Sequence, residues 1–260
     1  MTHGGGEWRS HLDRDRHAHV DFERILVGVD GSRRGEAAAE FAGRLAGASG
    51  ARLIVASVYT LRTLGGRLQS GERAAALAHD AATRVARGPF ECRIAPSVSP
   101  AEGLRAIANA ESADLVVLGS RHRGRLGEAL AGGVARRLVR GATLPVVLVP
   151  EIARVRDLEW IGVLPGAGPE AERTIATAEA LAADVGARVK VYRGPRHSGH
   201  LSDDLTGGLV SVLVVPAWPH GLAGRLRGHA TRAETAGCVL IVVPPAARVP
   251  SASVPATAVR

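Results

Sequence analysis

The chain has 260 residues, 46% of them hydrophobic, and a formal net charge of +8 at neutral pH. This length provides for one large domain or two small ones, and the apolar fraction is sufficient for a buried core. The longest apolar stretch, at 209–218, contains a serine and a proline and is too short to cross a bilayer. The N-terminus lacks the apolar core of a signal peptide, so we expect a cytoplasmic protein that does not bind membranes.

The charge pattern and the cysteines argue against two further classes of function. Lys190 is the only lysine, the arginines are scattered, and aromatic residues make up 3% of the sequence. We therefore do not expect nucleic acid as a partner, because such proteins combine a clustered basic face with stacking aromatic side chains. Cys92 and Cys238 provide neither a disulfide framework nor a metal-ligand spacing, which predicts buried thiols in a reducing compartment and no metal site.

Both ends of the chain lack apolar periodicity. Residues 1–22 are polar and contain four of the ten histidines: His3, His11, His17 and His19. We interpret this segment as a disordered N-terminal arm rather than a metal-binding tail, because a histidine-rich composition alone is weak support for metal binding. Residues 246–260 are rich in alanine, proline and serine, and we predict that they form a second disordered tail.

Between these ends, short apolar runs alternate with segments of helical periodicity. Residues 24–30 predict a strand, and residues 36–50 predict a helix that ends at Gly50. The alternation continues with strands at 51–59, 90–98, 115–118 and 146–149, and with helices at 71–88, at 100–113 and before the last strand. Because strands separated by helices form parallel β-α-β units, we predict an α/β domain with a doubly wound parallel sheet over residues 23–151.

The second half repeats this order in reduced form. Strands are predicted at 158–166, 187–193, 209–216 and 237–244, with a helix at 169–186. Only residues 194–208 separate the second of these strands from the third, whereas the first half has a helix, a strand and another helix in that place. We therefore predict a second, truncated domain over residues 156–245 that has lost its edge strand and one helix.

A glycine-rich segment follows the fourth strand of the first half. It runs from Gly119 to Gly133 and leads into a helix. A loop of this kind at the carboxyl end of a parallel strand can direct backbone N–H groups at a phosphate. Asp30 ends the first strand at the same edge of the sheet, where its carboxylate could contact a ligand. Alternatively, Asp-Gly-Ser is a natural helix start, in which either Ser32 or Asp30 could cap the next helix.

Three motifs together resemble the universal stress protein family: ILVGVDGS at 25–32, ADLVVLGSR at 113–121 and LPVVLVP at 144–150. The resemblance implies a five-stranded parallel sheet with the strand order 3-2-1-4-5, here in a tandem pair whose second copy is degenerate. Many members bind ATP through a loop of the form G-x2-G-x9-G-S/T. By this analogy, Asp30 lies near the adenosine and the backbone around Val58 meets the adenine.

The loop of this chain departs from that pattern at two of its four positions. Gly119 and Gly132 match, but His122 stands where the second glycine is expected, and Gly133 where serine or threonine is expected. A residue other than glycine adopts positive φ only at a cost, and Gly133 removes a side-chain donor to a phosphate oxygen. Arg121 and a protonated His122 could replace these contacts, or they could form a solvated surface that binds nothing.

The second half matches the nucleotide-binding pattern less well. Alignment of the two halves by their motifs places Pro165 at the position of Asp30. Pro216 and Pro219, in the loop of the second half, lack a backbone donor. We therefore expect no nucleotide site in this half.

Two functions stay open at this point. One is a stress-response module that binds ATP or another adenine nucleotide weakly in its first domain, and the other is a protein-interaction scaffold that binds none. We expect neither to be an enzyme, because no catalytic triad, metal cluster or pair of carboxylates can be recognised.

The resemblance also implies that the strands at 146–149 and 239–243 pair within the chain, which would cover two apolar edges. A homodimer of whole chains stays open as well.

Overall fold

The computed structural model describes residues 22–60, 71–120, 133–153, 158–193, 198–217 and 237–245. Within these ranges, the strands and helices follow one another in the predicted order. The strands are β1 (Arg24–Gly28), β2 (Arg52–Thr60), β3 (Phe90–Ser97), β4 (Leu115–Ser120), β5 (Val146–Pro150), β6 (Trp160–Val163), β7 (Arg188–Val191), β8 (Val212–Pro216) and β9 (Val239–Val243). The helices are α1 (Arg33–Ser49), α2 (Gly71–Val85), α3 (Pro100–Ala110), α4 (Gly133–Arg140), α5 (Pro169–Val185) and α6 (Ser198–Thr206).

These strands form one sheet in the order β3-β2-β1-β4-β5-β9-β8-β6-β7. The strands of the first half have the order 3-2-1-4-5, and all neighbours among them are parallel. The strands of the second half, β9-β8-β6-β7, are also parallel to one another. The predicted α/β class and the predicted strand order of the first half are therefore confirmed.

The two halves are joined by β5 and β9, which pair antiparallel. Three residue pairs make this ladder: Val146–Val242, Val147–Ile241 and Leu148–Leu240. Every residue of both strands is buried. The last strands of the two halves thus pair within the chain, as the resemblance implies, and each satisfies backbone groups that a free edge would expose.

Helices cover both faces of the sheet, because alternate side chains of each strand point to opposite faces. On one face, Ile25 and Val27 pack with α1 and α2, and strand residues of the second half pack with α5. On the other face, Leu26 and Leu118 pack with α3 and α4, and strand residues of the second half pack with α6. Burial on both faces explains why the strands read as nearly continuous apolar runs in the sequence.

Several boundaries differ from the predicted ones. β1 ends at Gly28, so Asp30 lies beyond the strand rather than at its end. Phe22 is 5% exposed and belongs to the core, so its assignment to the disordered arm is wrong. Residues 1–21 and 246–260, the remainder of the predicted arm and tail, lie outside the described residues. None of the described helices is long and apolar enough to cross a membrane.

A polar cluster anchors α6 to β7 in the second half. The hydroxyl of Tyr192, just after β7, donates to Oδ2 of Asp204 at 2.5 Å, and Lys190 Nζ lies 2.6 Å from the same oxygen. Tyr192 itself is buried with residues of α6. Burial by itself raises the pKa of the Asp204 carboxyl. The pKa is nevertheless lowered overall, because Lys190 contributes a hydrogen bond and a positive charge and Tyr192 contributes a second hydrogen bond.

We predict that Asp204→Asn lowers the free energy of unfolding at pH 7 by about 1.5–3 kcal/mol, the usual contribution of hydrogen bonds to a charged group. A carboxyl whose pKa is lowered on folding stabilises the fold above its unfolded pKa, and this contribution is lost as the pH falls through the folded pKa. The effect of the substitution should therefore shrink below about pH 4. Urea unfolding at neutral and at acidic pH measures both quantities.

Asp203→Asn is the matched control, because Asp203 is an exposed neighbour on the same helix. It should change the stability little at either pH. An equal loss of stability for Asp204→Asn at neutral and acidic pH would contradict the assigned role of the carboxylate.

Candidate functional site

The carboxyl ends of β1, β2 and β4 open into a cleft of about 310 Å³ between α1, α3 and α4. Parallel strands place these ends at one edge of the sheet, which is where α/β proteins bind ligands. The apolar part of the lining consists mainly of Ala56, Val58, Pro100, Leu104, Leu118 and Val134.

Four of the predicted site residues line this one cleft: Asp30, Val58, Gly119 and Gly133. They come from separate parts of the first half, and the parallel topology brings them to the same edge of the sheet. The other three predicted site residues, Arg121, His122 and Gly132, lie outside the described residues.

Asp30 stabilises the start of α1. Its Oδ1 accepts hydrogen bonds from the backbone N–H of Ser32 at 3.0 Å and from the Ser32 hydroxyl at 2.5 Å. The Ser32 hydroxyl in turn accepts a bond from the backbone N–H of Gly35 at 3.2 Å, which makes Ser32 the N-cap of the helix. Of the two predicted caps, Ser32 is confirmed as the N-cap, whereas Asp30, among the described residues, binds only Ser32 and so supports the cap from outside the helix. Asp30 lines the cleft at the same time.

Val58 lies near the end of β2, where it is half-buried between the cleft and α3. A Cβ built on Gly103 of α3 would lie 2.6 Å from Cγ1 of Val58. The glycine in α3 thus lets the helix approach β2 closely and keeps the side chain of Val58 at the wall of the cleft.

Gly119 has a structural reason to be glycine that sequence reasoning did not identify. A Cβ at this position would lie 2.5 Å from the carbonyl oxygen of Arg34 and 2.7 Å from its Cβ. The first turn of α1 therefore packs directly against the end of β4. This contact requires glycine at position 119 whether or not a phosphate binds.

Gly133 differs from Gly119 in having free space around it. It is the first residue of α4 and is exposed, and a Cβ there would meet no heavy atom of the described residues within 4 Å. Packing against the described residues therefore leaves room for a serine side chain at position 133.

The cleft also contains a charged residue that we did not predict as a site residue, Arg34. Asp30 and Arg34 are the ionisable side chains among the described lining residues. The sequence shows two adjacent arginines after Asp-Gly-Ser. Which of them lies at the cleft depends on where α1 begins, because this sets the direction in which each residue leaves the helix. Among the described residues, no group of three or more histidine, cysteine, aspartate or glutamate side chains is placed to hold a metal ion.

Comparison with known proteins places the chain in a family. Residues 21–150, half of the chain, match the universal stress protein family. A universal stress protein from Thermus aquaticus is 34% identical over 139 residues, which are 49% of this chain and 98% of that protein.

Solved structures extend the likeness in fold to both halves. The structure of a universal stress protein from Archaeoglobus fulgidus is 12% identical and covers 85% of this chain and 98% of its own, with a TM-score of 0.61. A universal stress protein solved in complex with cAMP is 26% identical over 50% of this chain and 97% of its own, with a TM-score of 0.41. From the family match and the Thermus aquaticus relative, we conclude that this chain belongs to the universal stress protein family.

Proposed function

We propose that this chain is a stress-response module that binds ATP or another adenine nucleotide weakly, in the cleft of its first half. Membership of the family supports the role in stress response. The nucleotide proposal rests mainly on one observation. Asp30, Val58 and Gly133, to which the resemblance assigns nucleotide contacts, are distant in sequence and line the same cleft.

The size and chemistry of the cleft suit a nucleoside. Its volume of about 310 Å³ lies near the lower end of the range of about 300–1,000 Å³ that is typical of small-molecule sites. Val58, Leu104 and Leu118 offer apolar surface to a base. Because Asp30 binds Ser32 through Oδ1, we assign its Oδ2 to a hydroxyl of the ribose.

We propose that binding is weak because the phosphate loop lacks two positions of its motif, with His122 and Gly133 in place of glycine and a hydroxyl residue. A charge-assisted hydrogen bond contributes about 1.5–3 kcal/mol. Loss of the hydroxyl at position 133 alone would therefore weaken the affinity about tenfold or more.

We also propose that the second half is a truncated copy of the first. α1 and α5 each have 17 residues, and each is followed by a glycine with positive φ, Gly50 and Gly186. The first residue of β1 pairs with the first residue of β2, and the same relation holds between β6 and β7. This residue-by-residue correspondence puts Gly166, rather than Pro165, at the position of Asp30.

The same correspondence supports a nucleotide site in the first half alone. Leu164 and Tyr192 stand where the first half has Gly28 and Ala56, two small residues that line the cleft. Both replacements are larger, and Tyr192 is buried and hydrogen-bonded to Asp204. We infer that these side chains fill the space that the cleft occupies in the first half.

We propose no catalytic activity and a cytoplasmic location. Asp30 and Arg34 are the ionisable groups in the described lining, and Asp30 is already engaged by Ser32, which does not suit general acid–base chemistry. The location is proposed from the use of cysteine, because the chain has two cysteines, Cys92 and Cys238, and both are free thiols. A homodimer would need a surface other than the edges of β5 and β9, because these edges are paired within the chain.

The alternative function is a protein-interaction scaffold of the same fold that binds no nucleotide. Two observations favour it. Gly119 makes room for the backbone of Arg34, and Asp30 supports the N-cap of α1, so both motif residues have structural roles without a ligand.

Substitution of Gly133 distinguishes the two functions, because the position accepts a side chain without a clash. We predict that the native chain binds ATP saturably in calorimetry and that Gly133→Ser binds it about tenfold more tightly, through a new hydroxyl donor to a phosphate oxygen. The affinity for adenosine, which has no phosphate, should be the same in both.

Gly133→Ala is the matched control, since it adds the same Cβ and removes the same helical glycine without adding a hydroxyl. Equal ATP affinities of the alanine and serine variants would contradict the phosphate contact. No saturable binding of ATP or adenosine by the native chain or Gly133→Ser would favour the scaffold. Gly119 is unsuitable as a probe, because any side chain there would press on the backbone of α1.

A further inference from the structure

Arg34 occupies a position in the cleft from which it can reach a bound ligand. It is the second residue of α1 and one of the described residues that line the cleft. A Cβ on Gly119 would lie 2.7 Å from the Cβ of Arg34, so the arginine side chain leaves the helix beside the end of β4. The glycine-rich segment begins at this same point of the chain.

The guanidinium of Arg34 has no carboxylate partner in the part of the chain that the structure describes. The ion pairs found there involve other basic residues, namely Arg44, Arg52, Arg84, Arg93 and Lys190. Arg34 is nevertheless half-buried rather than fully solvated. An arginine that lies in a cleft without an ion pair is available to bind an anion through its planar array of donors.

We propose that Arg34 binds a phosphate group of the nucleotide and takes over part of the role of the hydroxyl that is missing at Gly133. This inference rests on the proposed nucleotide function of the same cleft. Arg34 and Gly133 both line the cleft, on α1 and α4 respectively, so a phosphate between the two helices would be within reach of the arginine side chain. The ligand class is therefore a nucleoside phosphate rather than a free nucleoside.

The neighbouring arginine provides a matched control. Arg33 is the first residue of α1, is exposed, and is not among the lining residues of the cleft. Arg33→Gln and Arg34→Gln remove the same charge from adjacent positions of one helix, and neither breaks an ion pair between described residues. Both leave the backbone contact of residue 34 with Gly119 in place.

The experiment is a titration of the native full chain and of three variants, Arg33→Gln, Arg34→Gln and Arg34→Lys, with ATP and with adenosine. We expect Arg34→Gln to weaken ATP binding about tenfold or more, the effect of a lost charge-assisted hydrogen bond, and to leave adenosine binding unchanged. Arg33→Gln should change ATP binding by about twofold at most, because an exposed charge is screened. Arg34→Lys, which keeps the charge but loses the planar donors, should fall between the native chain and Arg34→Gln.

Two results would overturn the role of Arg34 while leaving the proposed function intact. One is an equal loss of ATP affinity in Arg33→Gln and Arg34→Gln, which would indicate a general effect of charge. The other is an equal loss of ATP and adenosine affinity in Arg34→Gln, which would place the arginine at the nucleoside or in the packing of the site. If the native chain binds neither ligand, the proposed function fails and the role of Arg34 fails with it. Thermal unfolding without ligand verifies that all three variants fold.

Discussion

The antiparallel pairing of β5 with β9 is the contact on which the arrangement of the whole sheet depends. Through Val147, Ile241 and their neighbours, it joins the strands of both halves into one continuous sheet. Each strand is parallel to the last strand of its own half, and these two last strands run in opposite directions. The strands of the first half therefore end on the side of the sheet where the strands of the second half begin. The cleft lies on the first side and Tyr192 on the opposite one, so the strand ends of the two halves cannot form a shared site.

The size of a few side chains explains why the cleft occurs in the first half. Gly28 and Ala56 line the cleft, and the absence of a side chain at Gly28 lets Leu118 pack onto β1, since a Cβ there would lie 2.8 Å from a methyl group of Leu118. In the proposed correspondence, Leu164 and Tyr192 occupy these two positions in the second half. Under this proposal, one order of strands supports an open cleft in the first half and a packed core in the second, so a shared fold alone does not assign a function to either half.

Much of the fold can be predicted from the sequence, because buried parallel strands and helix ends leave local patterns. The apolar run at 146–149 and the glycine at position 50 are examples, and both appear in the structure as predicted. The site is less predictable, since its contacts join distant segments. Neither the packing of Gly119 against Arg34 nor the burial of Phe22 has a local signature. Val58 was located only through resemblance to a family, whereas Asp30 was located also from the apolar run that it follows, and its place beside Ser32 indicated the start of α1.

The central expectation for this protein is one nucleotide site per chain. It follows from two proposals, namely that the cleft of the first half binds the nucleotide and that side chains fill the equivalent space in the second half. Equilibrium dialysis of the native chain against labelled ATP, carried to saturation, measures the number of sites most directly. We predict that one ATP binds per chain. No bound ATP would mean that the cleft residues have structural roles only, and two bound ATP molecules would contradict the filling of the second half by Leu164 and Tyr192.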